Sequence, residues 1–329
     1  MDFWVWFQTI MLSFNDLRIA PIYVVSTIAI AALIYVFTKR SEHKSSFLGW
    51  LFPKSIYFHP SHFTDIKLFV FNQAAKAVGL FGALGLQTAM AVAVLSGLNK
   101  LTGHEVVSGA WSFEQMALVT LVMMVVNDFC VYWIHRIHHE SPVLWPFHAV
   151  HHSAEVMTPI TVYRKHPIYD VIGSFFKAFV RGAVLGLVVF CLTDTFSTVD
   201  VAGISAAYFV FNFLGANLRH SHIWLGYGKV LSHIFISPAQ HQIHHSVAVK
   251  HHNKNYGEVL AIWDWMFGTL YVPETREQLT YGIGDEKGEP TEQPHKTLTE
   301  ALVVPFEDSW KAVKERHDAA AQSPKPTEP

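Results

Sequence analysis

The chain is poor in charge. Only 15% of its 329 residues are Asp, Glu, Lys or Arg, against about 25% in ordinary soluble proteins. Acid and base nearly cancel, leaving a formal net charge of −2. A chain this apolar is not intrinsically disordered, and without a basic excess it is not built to bind nucleic acid. Cysteine is scarce too. Cys130 and Cys191 are the two present, far apart in sequence, which excludes a disulfide scaffold and a cysteine-based zinc site. No repeat of fixed period is visible. What the chain has instead is 51% apolar residues and a mean hydropathy of +0.25. It also has 25 Phe, 11 Tyr and 10 Trp, and 21 His. Phe and Trp suit a lipid setting. That much histidine needs a separate reason.

Crossing a bilayer takes roughly 17–25 apolar residues. Three charge-free windows qualify, at Ile19–Phe37, Ala77–Leu98 and Val201–Leu218. Gln115–Ile134 qualifies with one charge, Asp128, and Val171–Leu192 with Lys177 and Arg181 near its start, where cationic stems reach the interface. Lys39, Arg40, Lys44 and Lys54 follow the first window; Arg136, Arg164, Lys165, Arg219 and Lys229 follow the later ones. The intervening loops Asn99–Glu114 and Thr193–Asp200 hold Lys100 as their one Lys or Arg, beside Glu105, Glu114, Asp194 and Asp200. Positive charge marks the cytosolic side. The expectation is an outside N-terminus, five spans and a cytosolic C-terminus. Met1–Phe14 lacks a basic start and is expected to be an interfacial helix, not a signal peptide. The tail from about Asp318, polar and ending in Ser323-Pro-Lys-Pro-Thr-Glu-Pro329, is expected to be disordered.

Fifteen of the 21 histidines lie between 135 and 252. They cluster as His135-Arg-Ile-His138-His139, His148-Ala-Val-His151-His152, His220-Ser-His222 and His241-Gln-Ile-His244-His245, with His251-His252 soon after. The span assignment puts every cluster on the cytosolic side. On a helix, residues three and four apart share a face. So His148, His151 and His152 converge, as do His241, His244 and His245, and His135 pairs with His139. Neutral imidazole is the commonest metal ligand. Eight or nine exceed what one tetrahedral zinc takes and suit two borderline metals with open positions, iron first among them. Asp128, seven residues before His135, and Asp264, Glu140 and Glu155 are candidates to orient the imidazoles; His138 and His251 are candidates for the same outer role. His43, His59, His62, His104, His233, His295 and His317 read as ordinary structural or surface residues.

These stretches resemble the fatty acid hydroxylase/sterol desaturase superfamily of membrane di-iron enzymes. The likeness runs over about 115–272: Asn127 to His139, Phe147 to His152 with Thr158-Pro159 and His166-Pro167, Asn217 to His222, Ser237 to His245, Asn253 to Gly257, and Trp263 to Thr269. It implies an all-α, multi-pass helical membrane domain capped by a histidine cage with two irons. It further implies O2 as co-substrate, a membrane lipid as substrate, and electrons from a separate reductase, ferredoxin or cytochrome. The metal ligands implied are His135, His139, His148, His151, His152, His241, His244 and His245. The ninth position falls on His220, with His222 beside it as a further candidate. Glu140 and Ser153-Ala-Glu155 are more similar to the alkylglycerol monooxygenase and bacterial lipid hydroxylase branch than to the eukaryotic sterol branch.

The division expected is 1–114 for the interfacial helix and first two spans, 115–272 for the di-iron domain, and 273–329 for a cytosolic C-terminal segment. The expected activity is hydroxylation of a lipid C–H, with desaturation on the same site as the alternative. The expected location is a bacterial inner membrane rather than the endoplasmic reticulum. Trp145, Phe147, Trp224 and Tyr227 are expected interfacial anchors. A metal transporter or sensor is the alternative from another class; it requires ligands inside the spans, where the ionisable groups are Asp128, Lys177 and Arg181. A structural protein with a stabilising zinc is a third. Neither composition nor motif fixes an oligomeric state.

Overall fold

The computed structural model describes residues 18–38, 45–79, 85–104, 107–108, 111–192, 195–196 and 210–322. Their regular structure is helical apart from a two-residue parallel pairing of Val107–Ser108 with Thr195–Phe196. The helices, numbered among the described residues, are α1 Pro21–Phe37, α2 Phe47–Leu51, α3 Lys54–Tyr57, α4 Pro60–Ala77, α5 Leu86–Thr102, α6 Phe113–Glu140, α7 Trp145–His152, α8 Pro167–Leu192, α9 Gly228–Leu231, α10 Pro238–His244, α11 Ile262–Met266 and α12 Leu298–Gln322.

Among the described residues two helices, α6 and α8, are long and apolar enough to cross a membrane; α1 is a shorter apolar helix. α6 starts at a reciprocal cap, in which Ser112 Oγ accepts from Gln115 N and Gln115 Oε1 accepts from Ser112 N, satisfying two of the donors every helix start leaves open. The window expected at Ala77–Leu98 is not one helix. α4 ends at Ala77 before Gly79, and α5 begins after Gly85; both glycines have positive φ, 78° and 84°, which L side chains rarely adopt. The Val201–Leu218 window lies mostly outside the described residues. Its end is a 3₁₀ turn, Ala216–His220, entered through Gly215 at φ 93°. The interfacial helix expected at Met1–Phe14 also lies outside them. At the C-terminus α12 runs to Gln322, so Asp318–Gln322 is helical rather than disordered, and 323–329 lie outside the described residues.

α5 and α8 pack at glycine distance. A Cβ on Gly186 would stand 2.5 Å from Ala91 O, and one on Gly182 2.7 Å from Met90 Cβ. Small residues four apart on one face are how helices approach closely where lipid offers no hydrophobic drive. α12 closes the other side of the molecule. Its Ala301, with Leu298 and Leu302, packs on Leu68 of α4 and Val150 of α7. The ligand-bearing helix α7 is thereby held between α4, α6 and α12.

Candidate metal centre

Nine buried or half-buried imidazoles meet in two adjoining groups. His135, His139, His148, His152 and His244 form one; His151, His220, His241 and His245 form the other, and the ligand atoms of each group lie within 4.8 Å of one another. α7 supplies ligands to both groups, because His148 and His152 share a face and His151 is turned towards the next. α10 does the same through His244 on one side and His241 on the other, with His245 as its C-cap. The start of α10 sets that phase. Ser237 Oγ accepts from Gln240 N, Gln240 Oε1 accepts from Ser237 N, and Pro238 is preset for the first turn. Gln242 Nε2 then donates to Leu218 O and Ile223 O, tying α10 to the turn that presents His220.

The nitrogens stand where ligands of an ion would stand. A metal–imidazole bond of about 2.0–2.1 Å places neighbouring ligand nitrogens about 2.9–3.4 Å apart. In the second group Nε2 of His220 is 3.3 Å from Nε2 of His151 and 3.0 Å from that of His241, and the His241–His245 pair is 3.2 Å apart. In the first group Nε2 of His135, His139, His148, His152 and His244 is buried without a partner among the described residues. Five such orphans facing one another fit a metal centre, since buried polar atoms are otherwise satisfied. The donor set is all imidazole, with neither thiolate nor carboxylate, which suits iron, zinc, copper or nickel.

Main-chain carbonyls orient the rings. His135 Nδ1 is 2.7 Å from Tyr256 O, His244 Nδ1 is 2.7 Å from Lys254 O, and His151 Nδ1 is 3.2 Å from Arg164 O. A carbonyl only accepts, so Nδ1 carries the hydrogen and Nε2 keeps its lone pair for the centre. Burial, followed by neighbouring charges, holds His148, His151, His152, His220, His241 and His245 well below the ordinary imidazole value, and burial takes His244 to about 4. The cage is therefore neutral and ready to ligate at physiological pH.

Some expected residues stand elsewhere. His222 is not in either group; its Nε2 is 2.8 Å from Trp50 O and its ring lies edge-on to that indole. Asp128 and Asp264 bind no imidazole. Asp128 accepts from Val259 N, Leu260 N and Trp263 Nε1, each at 3.0 Å. Asp264 accepts from Tyr256 N, Gly257 N and Thr269 Oγ1 at 2.6–2.8 Å. Together they pin residues 256–260, whose Tyr256 carbonyl orients His135. Gly257 is required there: a Cβ would stand 2.6 Å from Leu260 O and 2.9 Å from Asp264 Oδ2. His138 binds Ile134 O through Nδ1 at 2.7 Å and packs on Tyr169. His251 faces Glu277, 3.2 Å away, and Tyr271. Glu140 pairs with Arg136, and Glu155 is exposed. Trp145 lies against the rings of His139 and His152, and Phe147 is buried against His166 and Phe306; both face inward from α7 instead of anchoring at an interface.

A buried ion pair escaped the sequence reading. Arg164 Nη1 donates to Asp65 Oδ1 at 2.9 Å, and both side chains are at most 1% exposed. The same guanidinium donates to Val150 O, Ser153 Oγ and His295 O. Burial pushes the Asp65 carboxyl up while Arg164 and Thr161 pull it down. This fork fixes the segment whose carbonyl orients His151. His139, His152 and His244 also line a cavity of about 250 Å³ walled by Trp145, Val247 and the 282–284 turn, which gives the first group an opening.

With that geometry in view, comparison with known proteins places the central segment. The fatty acid hydroxylase family model matches residues 120–269. That segment, under half of the chain, is similar to the fatty acid hydroxylase family. It contains all nine caged imidazoles, from His135 on α6 to His245 at the end of α10. An ornithine lipid hydroxylase of Rhizobium tropici is 32% identical over 210 residues, 63% of this chain and 57% of that protein. An alkylglycerol monooxygenase of Xenopus tropicalis is 31% identical over 156 residues, 47% of this chain and 31% of that protein. A Δ7-sterol 5(6)-desaturase of Aspergillus fumigatus is 24% identical over 198 residues, 56% of this chain and 61% of that protein. The chain thus spans 31–61% of the length of these relatives. No solved structure matches it.

Proposed function

We propose that the chain is an integral-membrane di-iron oxygenase that uses O2 and external electrons to hydroxylate a C–H bond of a membrane lipid. The observation that carries this is the pair of adjoining all-imidazole groups, five and four strong, within a segment similar to the fatty acid hydroxylase family. A five-nitrogen group exceeds tetrahedral zinc and suits a redox metal with an open position. Iron, when bound, supplies the O2 activation and the attack on an unreactive C–H. His135, His139, His148, His152 and His244 would hold one ion, and His151, His220, His241 and His245 the other. The carbonyls of Tyr256, Arg164 and Lys254 keep His135, His151 and His244 in the ligating tautomer. Burial of the rings limits water at the centre.

The basic loops favour a cytosolic cage, and a lipid substrate then enters from the inner leaflet, with a separate reductase, ferredoxin or cytochrome as electron donor. A bacterial inner membrane is the proposed location. Desaturation is the second reading, favoured by the sterol desaturase match. A metal transporter is disfavoured because the ligands sit at helix ends and in α7 and α10, outside the apolar stretches of α6 and α8.

The test is lipid mass spectrometry on membranes with and without the gene, with His148→Ala as control. A lipid gaining one oxygen, absent in the control, supports hydroxylation; loss of two hydrogens means desaturation. Active protein carrying well under one iron per chain overturns the di-iron reading.

A further inference from the structure

A second cavity, of about 240 Å³, opens beside the cage and has a different character. Arg18, Lys76 and Lys165 bring positive charge to its wall; Asp170 and Glu258 bring negative charge. It lies where the starts of α1 and α8, the end of α4 and Asn212 meet. The chain thus gathers charges of both signs where the starts of α1 and α8 meet, so α1 does not run in from the opposite face as the expected outside N-terminus requires.

The charges are not all consumed by one another. Arg18 pairs with Glu258, and Arg219 donates to Glu258 O at 2.7 Å. The Lys165 ammonium lies over the Tyr169 ring, 5.6 Å from its centre. Neither it, Lys76 nor Asp170 forms an ion pair among the described residues. Asn72 is 6% exposed. Its Nδ2 donates to Lys165 O at 2.9 Å, which leaves its Oδ1 buried with no partner among the described residues, and Asn212 Oδ1 is likewise unpartnered among them. Both residues line the cavity. A buried acceptor without a donor is unfavourable unless something fills it, and an ammonium supplies donors.

The cavity is also wired to the cage. Lys165 follows Arg164, whose carbonyl orients His151. Tyr169, beneath the Lys165 ammonium, stacks on the ligand His148 at 4.8 Å and 25°. Glu258 lies two residues beyond Tyr256, whose carbonyl orients His135. An occupant held here is one side chain away from ligands of both groups.

We infer that this cavity is the headgroup site for the lipid substrate and takes a zwitterionic headgroup, with an ammonium at Asp170 and the Asn72 and Asn212 carbonyls and an anion, carboxylate or phosphate, at Lys165 and Lys76. This rests on the lipid-oxygenase reading and adds the substrate class to it. An anionic headgroup alone would leave Asp170 and both amide oxygens unanswered; a cationic one alone would face Lys165 and Lys76.

The test is binding to the full chain in detergent, read by thermal shift and titration with short-chain probes. These are dihexanoyl phosphatidylethanolamine, Nα-octanoyl-lysine, dihexanoyl phosphatidylglycerol and octylamine. The zwitterions are expected to bind about tenfold or more tightly than the two singly charged probes. The stronger of phosphatidylethanolamine and octanoyl-lysine identifies phosphate or carboxylate as the anion. Asp170→Asn is expected to erase the advantage over phosphatidylglycerol, and Lys165→Gln the advantage over octylamine. Lys76→Gln changes an exposed side chain, so it reports on the anion even if the other variants fold poorly. Equal binding of zwitterion and phosphatidylglycerol, or no effect of Asp170→Asn, overturns the inference. Protein that holds iron and oxidises lipid yet ignores these substitutions leaves the oxygenase standing without this site. Protein that binds zwitterions but holds no iron leaves the site standing without the oxygenase.

Discussion

Asp128 lies 131 residues before Val259 and still governs where His135 points. Its carboxylate gathers two main-chain donors of one loop and the Trp263 indole of α11, and that loop's Tyr256 carbonyl orients the ligand. Asp128→Ala strands three N–H groups, each worth about 1–3 kcal/mol when buried and unmet. The expected outcome is a lower thermal midpoint together with lower iron occupancy, and a smaller loss for Asp128→Asn, which keeps one acceptor oxygen. Metal analysis on the folded fraction checks it; unchanged occupancy there would sink the link from Asp128 to His135. Arg164 acts similarly on His151. Arg164→Met leaves Asp65 as an uncompensated buried carboxylate, expected to cost roughly 3–5 kcal/mol, while the double change Asp65→Leu/Arg164→Met recovers part of it. Denaturant titration distinguishes the two. At this scale the nine caged histidines were legible because helical spacing is a local rule. The fate of His222 was not, since its partner is a main-chain carbonyl 172 residues away. Nor were the orienting groups: a carbonyl leaves no mark in a sequence, so Asp128 and Asp264 stood out as carboxylates while the loop they hold did not.

Among the elements, the contact between α5 and α8 is the most sharply specified. Gly186→Leu pushes a side chain into the backbone at Ala91, where nothing yields, and overpacking of this kind costs about 1–3 kcal/mol. Gly97 sits on the same α5, and a Cβ added there would meet nothing within 4 Å. Gly97→Ala is therefore expected to be neutral or to stabilise by up to about 1 kcal/mol, from helix propensity alone. Thermal midpoints of the two variants in one detergent make the comparison; equal losses would refute the close-packing argument. The apolar windows located α1, α6 and α8 because hydropathy is additive along the chain. They misplaced α5, since Gly79 and Gly85 are as charge-free as their neighbours and a window without charge cannot see a turn made by positive φ.

For the whole molecule, acid is the informative variable. His295 is buried, and burial, then the Arg164 charge, takes its pKa to about 4, against about 6.5 in an unfolded chain. Between those values the unfolded state binds the extra proton. The stability His295 contributes is thus fully present above about pH 6.5 and is lost as pH falls towards 4. The thermal midpoint of the wild type is expected to fall more steeply over that interval than that of His295→Gln. Parallel slopes would show that His295 does not couple to folding. The helical architecture and the family likeness were legible from the sequence, while the closure of α12 over α7 was not, because it depends on Arg164, His295 and Ala301 meeting from distant parts of the chain.

The distribution of cage parts along the chain has a consequence for biogenesis. The first ligand is residue 135 and the last is 245; the carbonyl that orients the first is at 256, and the fork that steadies His151 reaches His295. Ribosomes deliver these parts in order, and α6 and α8 are complete before α10 has been synthesised. On the di-iron reading proposed above, metal capture waits for the last of these parts. Until about residue 295 has emerged, the early histidines await their partners, and a chain that stalls short of that point lacks a complete cage.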